Sequence, residues 1–255
     1  MVTSYSGYVS EQATRTPGLT LVSYGGKRYR FDAGALCTEL LTTGGPGEFA
    51  RFEVLHEPAD LLRWVERSRL PAGLEITVTE RELTQTRDLR DALFQLVADR
   101  AHGRPLGARE LDVVNAAAAG TPLAARIEPD GSRGWAPGAT VARLLATVAR
   151  EAVELLTGPY ADRFRECGSH TCQLLFVDTS RPGRRRWCAM EHCGNLHKVR
   201  THRARRAERE GEEGDADANR DGMGRTGERA APDRQPRASG RELTTRPAGL
   251  AILST

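Results

Sequence analysis

Two pairs of cysteines in the second half of the chain constrain its fold more than any other feature. Cys167 and Cys172 are separated by four residues, Cys188 and Cys193 are separated in the same way, and fifteen residues join the two pairs. Paired thiols joined by a short connector are typical of a tetrahedral zinc site, because each pair closes a tight turn around the metal. Four thiolates leave no position for a reactive water, so we expect one structural zinc ion bound by Cys167, Cys172, Cys188 and Cys193.

Four histidines allow an alternative in which the metal is bound by a mixture of cysteines and histidines. His170, His192, His197 and His202 lie within or just after the cysteine segment, and His192 could replace Cys193. Disulfides are the least favoured alternative, since the chain shows neither a secretory signal nor an apolar run long enough for a membrane, and the cytoplasm disfavours them. The fifth cysteine, Cys37, lies in a short apolar stretch and is predicted to be a buried small side chain.

The positive charge of the chain is concentrated around the late cysteines. Residues 163–209 carry 12 basic and 4 acidic side chains, whereas residues 1–162 carry 18 and 21, and residues 210–255 carry 7 and 9. A basic helix is predicted after Cys193, with Leu196 and Val199 facing the metal, and duplex DNA is the expected partner. The predicted nucleic-acid contacts are Arg184, Arg185, Arg186, Lys198, Arg200, Arg203, Arg205 and Arg206.

Hydrophobic periodicity predicts a mainly α fold with short β-hairpins. We expect a poorly defined segment with a hairpin over 1–34, a helical domain over 35–160, a zinc module with the basic helix over 161–209, and a disordered tail over 210–255. The clearest helix follows Thr140, which can cap it, and ends at Gly158-Pro159. A second hairpin is predicted around Pro129-Asp130-Gly131.

The cysteine segment combines its two cysteine pairs with a Phe-x-Asp-x-Ser stretch, an Arg-Arg-Trp-Cys stretch and a following basic helix. The residues of this pattern are Phe176, Asp178, Ser180, Arg185, Arg186, Trp187, Cys188, Cys193, Gly194, Asn195 and Lys198. The pattern resembles the CGNR zinc finger, except that Leu196 replaces the arginine that ends the motif, and the region before it is similar to the ABATE domain of a stress-induced transcription regulator family. The resemblance implies a DNA-binding transcription regulator.

These observations favour a regulator that binds duplex DNA, with the helical domain serving for sensing or for formation of a homodimer. The alternative is a zinc-scaffolded module that binds protein or RNA without sequence-specific DNA recognition. An enzyme is not expected, since the chain has neither a phosphate-binding glycine loop nor an H-E-x-x-H or nucleophile motif. No membrane partner is expected, and the predicted location is the cytoplasm, with nucleoid association if DNA is bound.

Overall fold

The computed structural model describes residues 18–23, 25–222 and 252–253. Within this part of the chain the fold is mainly α with short antiparallel hairpins, which confirms the predicted fold class. None of the described helices combines the length and the apolar character that crossing a membrane requires.

The first hairpin confirms the hairpin predicted within residues 1–34. Strands β1 (Leu19–Val22) and β2 (Arg28–Phe31) are antiparallel, with Leu19 opposite Phe31. Alternate residues of each strand are buried, so one face of the hairpin packs into the core. The buried residues of this face are Leu19, Leu21, Tyr29 and Phe31.

Five helices and a second hairpin follow the first hairpin. The helices are α1 (Leu36–Leu40), α2 (Pro58–Arg67), α3 (Glu80–Ala101), α4 (Ala108–Ala118) and α5 (Val141–Thr157), and two 3-10 segments, Leu41–Thr43 and Gly47–Phe52, lie between α1 and α2. Strands β3 (Ala125–Ile127) and β4 (Arg133–Trp135) form the hairpin between α4 and α5. Thr140 caps α5 as predicted, since its side chain accepts a hydrogen bond from the N–H of Arg143.

The cysteine segment packs against these helices without a separate core. Strands β5 (Phe164–Glu166) and β6 (Leu175–Val177) pair with Phe164 opposite Val177 and contact α3. A π-helical turn, Met190–Gly194, then leads directly into α6 (Asn195–Gly222). The buried apolar residues form one continuous cluster that extends from β1 to Cys193.

The predicted disordered tail falls largely outside the described residues. Its first part, residues 210–222, continues the backbone of α6, because each residue added to a helix that has already formed brings one further hydrogen bond. Near the other end, β7 (Ile252–Leu253) pairs with β1 and places Leu253 opposite Leu21.

Candidate metal centre and basic surface

Two tight turns bring the four late cysteines together. The N–H of Cys172 donates to the carbonyl of Ser169, and the N–H of Cys167 donates to the carbonyl of Leu174, so the first pair sits in the loop that connects β5 to β6. The π-helical turn carries Cys193 and begins two residues after Cys188, at Met190. All four thiols are buried, and their sulfur atoms lie within 4.8 Å of one another.

The spacing of the sulfur atoms fits a tetrahedral zinc ion. Zinc–sulfur bonds of about 2.3 Å in a tetrahedron place the sulfurs about 3.8 Å apart. The Sγ atoms of Cys172 and Cys188 are 3.8 Å apart, and the N–H of Cys188 donates to Sγ of Cys167 at 3.4 Å. The four cysteines therefore form a closed site for one zinc ion, as predicted, and the role of the ion there is structural.

The ionisation of the four thiols shows why the cluster needs a cation. Hydrogen bonds from Cys172, Cys188 and Cys193 lower the pKa of Cys167, because they stabilise its thiolate. The pKa of Cys188 is raised, first because its thiol donates to Cys167 and then because thiolates and burial oppose a second negative charge. Four thiolates can coexist only when a cation offsets part of their charge, and a divalent metal offsets two of the four negative charges.

His192 and Cys37 lie outside the ligand set. The ring of His192 stacks on Tyr29 with the ring centroids 4.3 Å apart, and the metal cluster found among the described residues contains four cysteines and no histidine. Cys37 is buried in α1, where burial raises its pKa and its backbone N–H donates to Glu151. The all-cysteine alternative is therefore the one that the geometry supports.

Arg185 differs from the arginines on either side of it because its guanidinium points inward. It donates to the carbonyls of Asp32, at 2.7 Å, and Trp187, at 3.0 Å, and also to that of Cys188. The guanidinium carbon lies 4.2 Å from the ring centroid of Phe176. Arg185 thus holds the backbone of the second cysteine pair, whereas Arg184 and Arg186 are exposed.

Asp178 fixes the turn that leads to Arg185. Its buried carboxylate accepts the backbone N–H groups of Ser180, at 3.0 Å, and Arg185, at 2.8 Å. Burial alone would raise the pKa of this carboxyl, but hydrogen bonds from Ser180 and Arg185 outweigh it and lower the pKa. The Phe-x-Asp-x-Ser stretch of the motif therefore has a structural role.

The first hairpin packs against the metal module, and the sequence did not reveal this contact. Glu191, two residues before Cys193, accepts hydrogen bonds from the N–H of Arg30 at 2.6 Å and, through its backbone carbonyl, from Nζ of Lys27 at 2.8 Å. The N–H of Val177 donates to the carbonyl of Ala33. Two β-rich runs on either side of a glycine turn predict the hairpin itself, but no local signal indicates which part of the chain its buried face meets.

The exposed cations come from two segments that meet at Trp187. The guanidinium of Arg186 lies 5.2 Å from the Trp187 ring, and that ring contacts the ring of His197 on α6 with centroids 4.7 Å apart. Beneath this contact is a groove of about 280 Å³, lined by the first cysteine turn and α6. The predicted contact residues on α6 are all exposed: Lys198, Arg200, Arg203, Arg205 and Arg206.

Leu196 and Val199 do not face the metal, contrary to expectation. Their exposed fractions are 41% and 48%, and His197 of the same helix packs against Trp187 instead. The cause is the π-helical turn, in which the N–H of Gly194 donates to the carbonyl of Ala189, five residues earlier. The extra residue in that turn rotates the following helix by about 100° relative to a regular α-helix, which carries the apolar pair outward.

Comparison with protein families gives two matches in succession. Residues 34–159 match the ABATE family, described as "putative stress-induced transcription regulator", and residues 163–206 match the CGNR zinc finger. The first hairpin precedes both matched regions. Curated proteins give no match to the chain.

Proposed function

We propose that this chain, a CGNR zinc finger protein with an upstream ABATE domain, regulates transcription by binding duplex DNA through the surface around its zinc ion. The ABATE domain then serves for sensing or for pairing with a second copy. Such a protein acts in the cytoplasm, on the nucleoid. The two families are of regulator and zinc-finger type, and the proposal includes no catalytic step.

The observation that carries this proposal is the joining of two exposed basic segments at one aromatic contact. Arg184 and Arg186 precede Cys188, whereas the cations of α6 follow Cys193, and the Trp187–His197 contact holds the segments side by side. A metal that anchors both segments offsets the mutual repulsion of their charges. The result is a rigid cationic surface, which we call the basic surface: Arg184, Arg186, Lys198, Arg200, Arg203, Arg205 and Arg206.

Duplex DNA is the partner that such a surface favours energetically. Each phosphate contact releases condensed counterions, so the affinity grows with the number of contacts and falls steeply with salt. Guanidinium groups also bind phosphate through two parallel hydrogen bonds, which an ammonium group cannot do. Arg185 is a positioning residue in this proposal, because its donors are used within the protein.

A salt titration of the zinc-loaded protein on a random-sequence duplex tests the proposal. With six or more phosphate contacts, the affinity should fall by about a thousandfold or more between about 50 and 200 mM salt. Absence of binding at low salt would sink the proposal and favour the protein- or RNA-binding alternative. If the protein binds, selection of bound sequences from a random duplex pool distinguishes a site-specific regulator from a protein that binds all sequences equally.

Paired charge deletions assign the contact to the basic surface. Replacing Arg200 and Arg203 by Gln should lower the slope of log affinity against log salt by about two, since each phosphate contact contributes about 0.9. The matched control is the replacement of Arg81 and Arg109, two exposed arginines of the ABATE region, by Gln. An equal effect in the control, or an unchanged slope in the test variant, would place the contact elsewhere.

A further inference from the structure

The first two turns of α6 combine exposed apolar and cationic side chains on one face. Leu196, Val199 and Arg203 are spaced three and four residues apart, which places them along one stripe of the helix. The opposite face is occupied, since His197 contacts Trp187, and Thr201 and Ala204 line the groove below it. The metal module therefore determines which face of α6 points outward.

The exposed apolar side chains cluster unusually close to the metal. In the described part of the chain, five large apolar side chains are exposed, and three of them lie within ten residues of one another at the second cysteine pair. These three are Met190, Leu196 and Val199, with exposed fractions of 53%, 41% and 48%. Leu196 also stands where the family motif has arginine, so an apolar contact replaces a charged one at this position.

The surrounding charge selects the kind of partner. A second copy of the chain would bring the same cations to this face, and like charges would oppose the contact. A polyanion that also presents methyl groups satisfies both features of the stripe. Duplex DNA does so in its major groove, which admits an α-helix and exposes the C5 methyl group of every thymine.

We infer that Leu196 and Val199 contact thymine methyl groups in the major groove and give the protein a preference for thymine-containing duplexes. The inference rests on the proposed DNA-binding function and adds a source of specificity to it. Arg200 and Arg203 hold the helix on the phosphates, whereas the apolar pair distinguishes one base from another. Removal of a single methyl group from such a contact weakens binding by about fourfold.

Thymine and uracil differ in the methyl group alone, so they provide the probe. The zinc-loaded full chain is titrated with alternating dA–dT and dA–dU duplexes of equal length, and with a dG–dC duplex with and without 5-methylcytosine. We expect binding about fourfold tighter for each methyl contacted, in both pairs of duplexes. Equal affinities within both pairs, with steep salt dependence retained, would overturn the inference and leave the proposed function intact.

Variants assign the methyl preference to the stripe. Replacing Leu196 and Val199 by Ala should bring the dA–dT to dA–dU affinity ratio close to one, with zinc content and salt slope unchanged. Ile127→Ala is the matched control, since Ile127 is an apolar residue of the second hairpin with an exposed fraction of 84%, and it should keep the wild-type ratio. A ratio that survives in the double variant would overturn the inference.

Restoring the arginine of the motif gives a second, independent variant. Leu196→Arg should lower the methyl ratio and raise the salt slope by about one, because an apolar contact becomes a cationic one. A variant with an unchanged ratio and an unchanged slope would show that position 196 does not contact DNA. Failure of the wild type to bind either duplex at low salt would remove the inference and the proposed function together.

Discussion

Cys172 and Cys37 are both buried thiols, yet they differ in what surrounds them. Cys172 lies among three other sulfurs, whereas Cys37 lies in α1 beside Glu151. Replacing Cys172 by Ser should abolish stoichiometric zinc binding, because a hydroxyl is a poor zinc ligand and three thiolates do not close the tetrahedron. Cys37→Ala should retain one zinc per chain. Metal analysis of both purified variants checks this prediction, and loss of zinc in Cys37→Ala would contradict the ligand set.

Arg185 and Arg186 are neighbours in sequence with different expected roles. Removing the guanidinium of Arg185 leaves three carbonyls without their donor, so Arg185→Gln should destabilise the zinc-loaded protein by about 2–3 kcal/mol. Arg186→Gln should change stability by less than about 0.5 kcal/mol, because its side chain is exposed. Urea denaturation of both variants measures the difference.

DNA binding should depend on Arg186 and not on Arg185, which is the reverse of their expected effects on stability. Arg186→Gln should lower the salt slope by about one, as expected for a lost phosphate contact. Arg185→Gln should leave the slope unchanged wherever zinc remains bound. Equal losses of stability in both variants would show that Arg185 does not hold the second cysteine pair.

At the scale of elements, the first hairpin should contribute to metal binding although it supplies no ligand. Tyr29 stacks on His192, which precedes Cys193, so Tyr29→Ala should remove about 3 kcal/mol of packing. Since zinc binding is coupled to folding of the module, the apparent zinc affinity should fall by more than about tenfold. Tyr29→Phe keeps the ring and serves as the control. Competition with a chromophoric chelator measures the zinc affinity of both variants. Equal zinc affinities in Tyr29→Ala and Tyr29→Phe would show that the hairpin does not contribute to metal binding.

The regular elements could be predicted from sequence, because their signals are local. The apolar stripe and Thr140 cap of α5, the β-rich runs of the first hairpin and the spacing of the cysteines each depend on near neighbours in the chain. The orientation of Leu196 could not be predicted in this way, since one extra residue in the π-helical turn rotates the whole of α6. The inward position of Arg185 likewise depends on Asp32, which is distant in sequence.

At the scale of the whole molecule, the first hairpin, the helical region and the metal module share one hydrophobic core. Asp32 connects them: its carboxylate pairs with Arg69, two residues after α2, and its carbonyl accepts a hydrogen bond from Arg185 of the metal module. Arg69 also pairs with the buried Glu39 of α1 at 3.0 Å. Loss of the metal should therefore weaken contacts well beyond the cysteines.

This shared core predicts that zinc release and helix melting occur in a single transition. Heating the zinc-loaded protein should give the same midpoint by far-ultraviolet circular dichroism, which reports on all the helices and most strongly on α3, α5 and α6, and by a zinc indicator dye. Removing zinc with a chelator should lower the midpoint of helix melting by several degrees, because a destabilisation of about 1 kcal/mol shifts Tm by about 2–4 °C in a chain of this size. Helices that melt at the same temperature with and without zinc would mean that the metal module and the ABATE region fold independently. In that case the Arg69–Asp32–Arg185 contacts would contribute nothing measurable to their coupling.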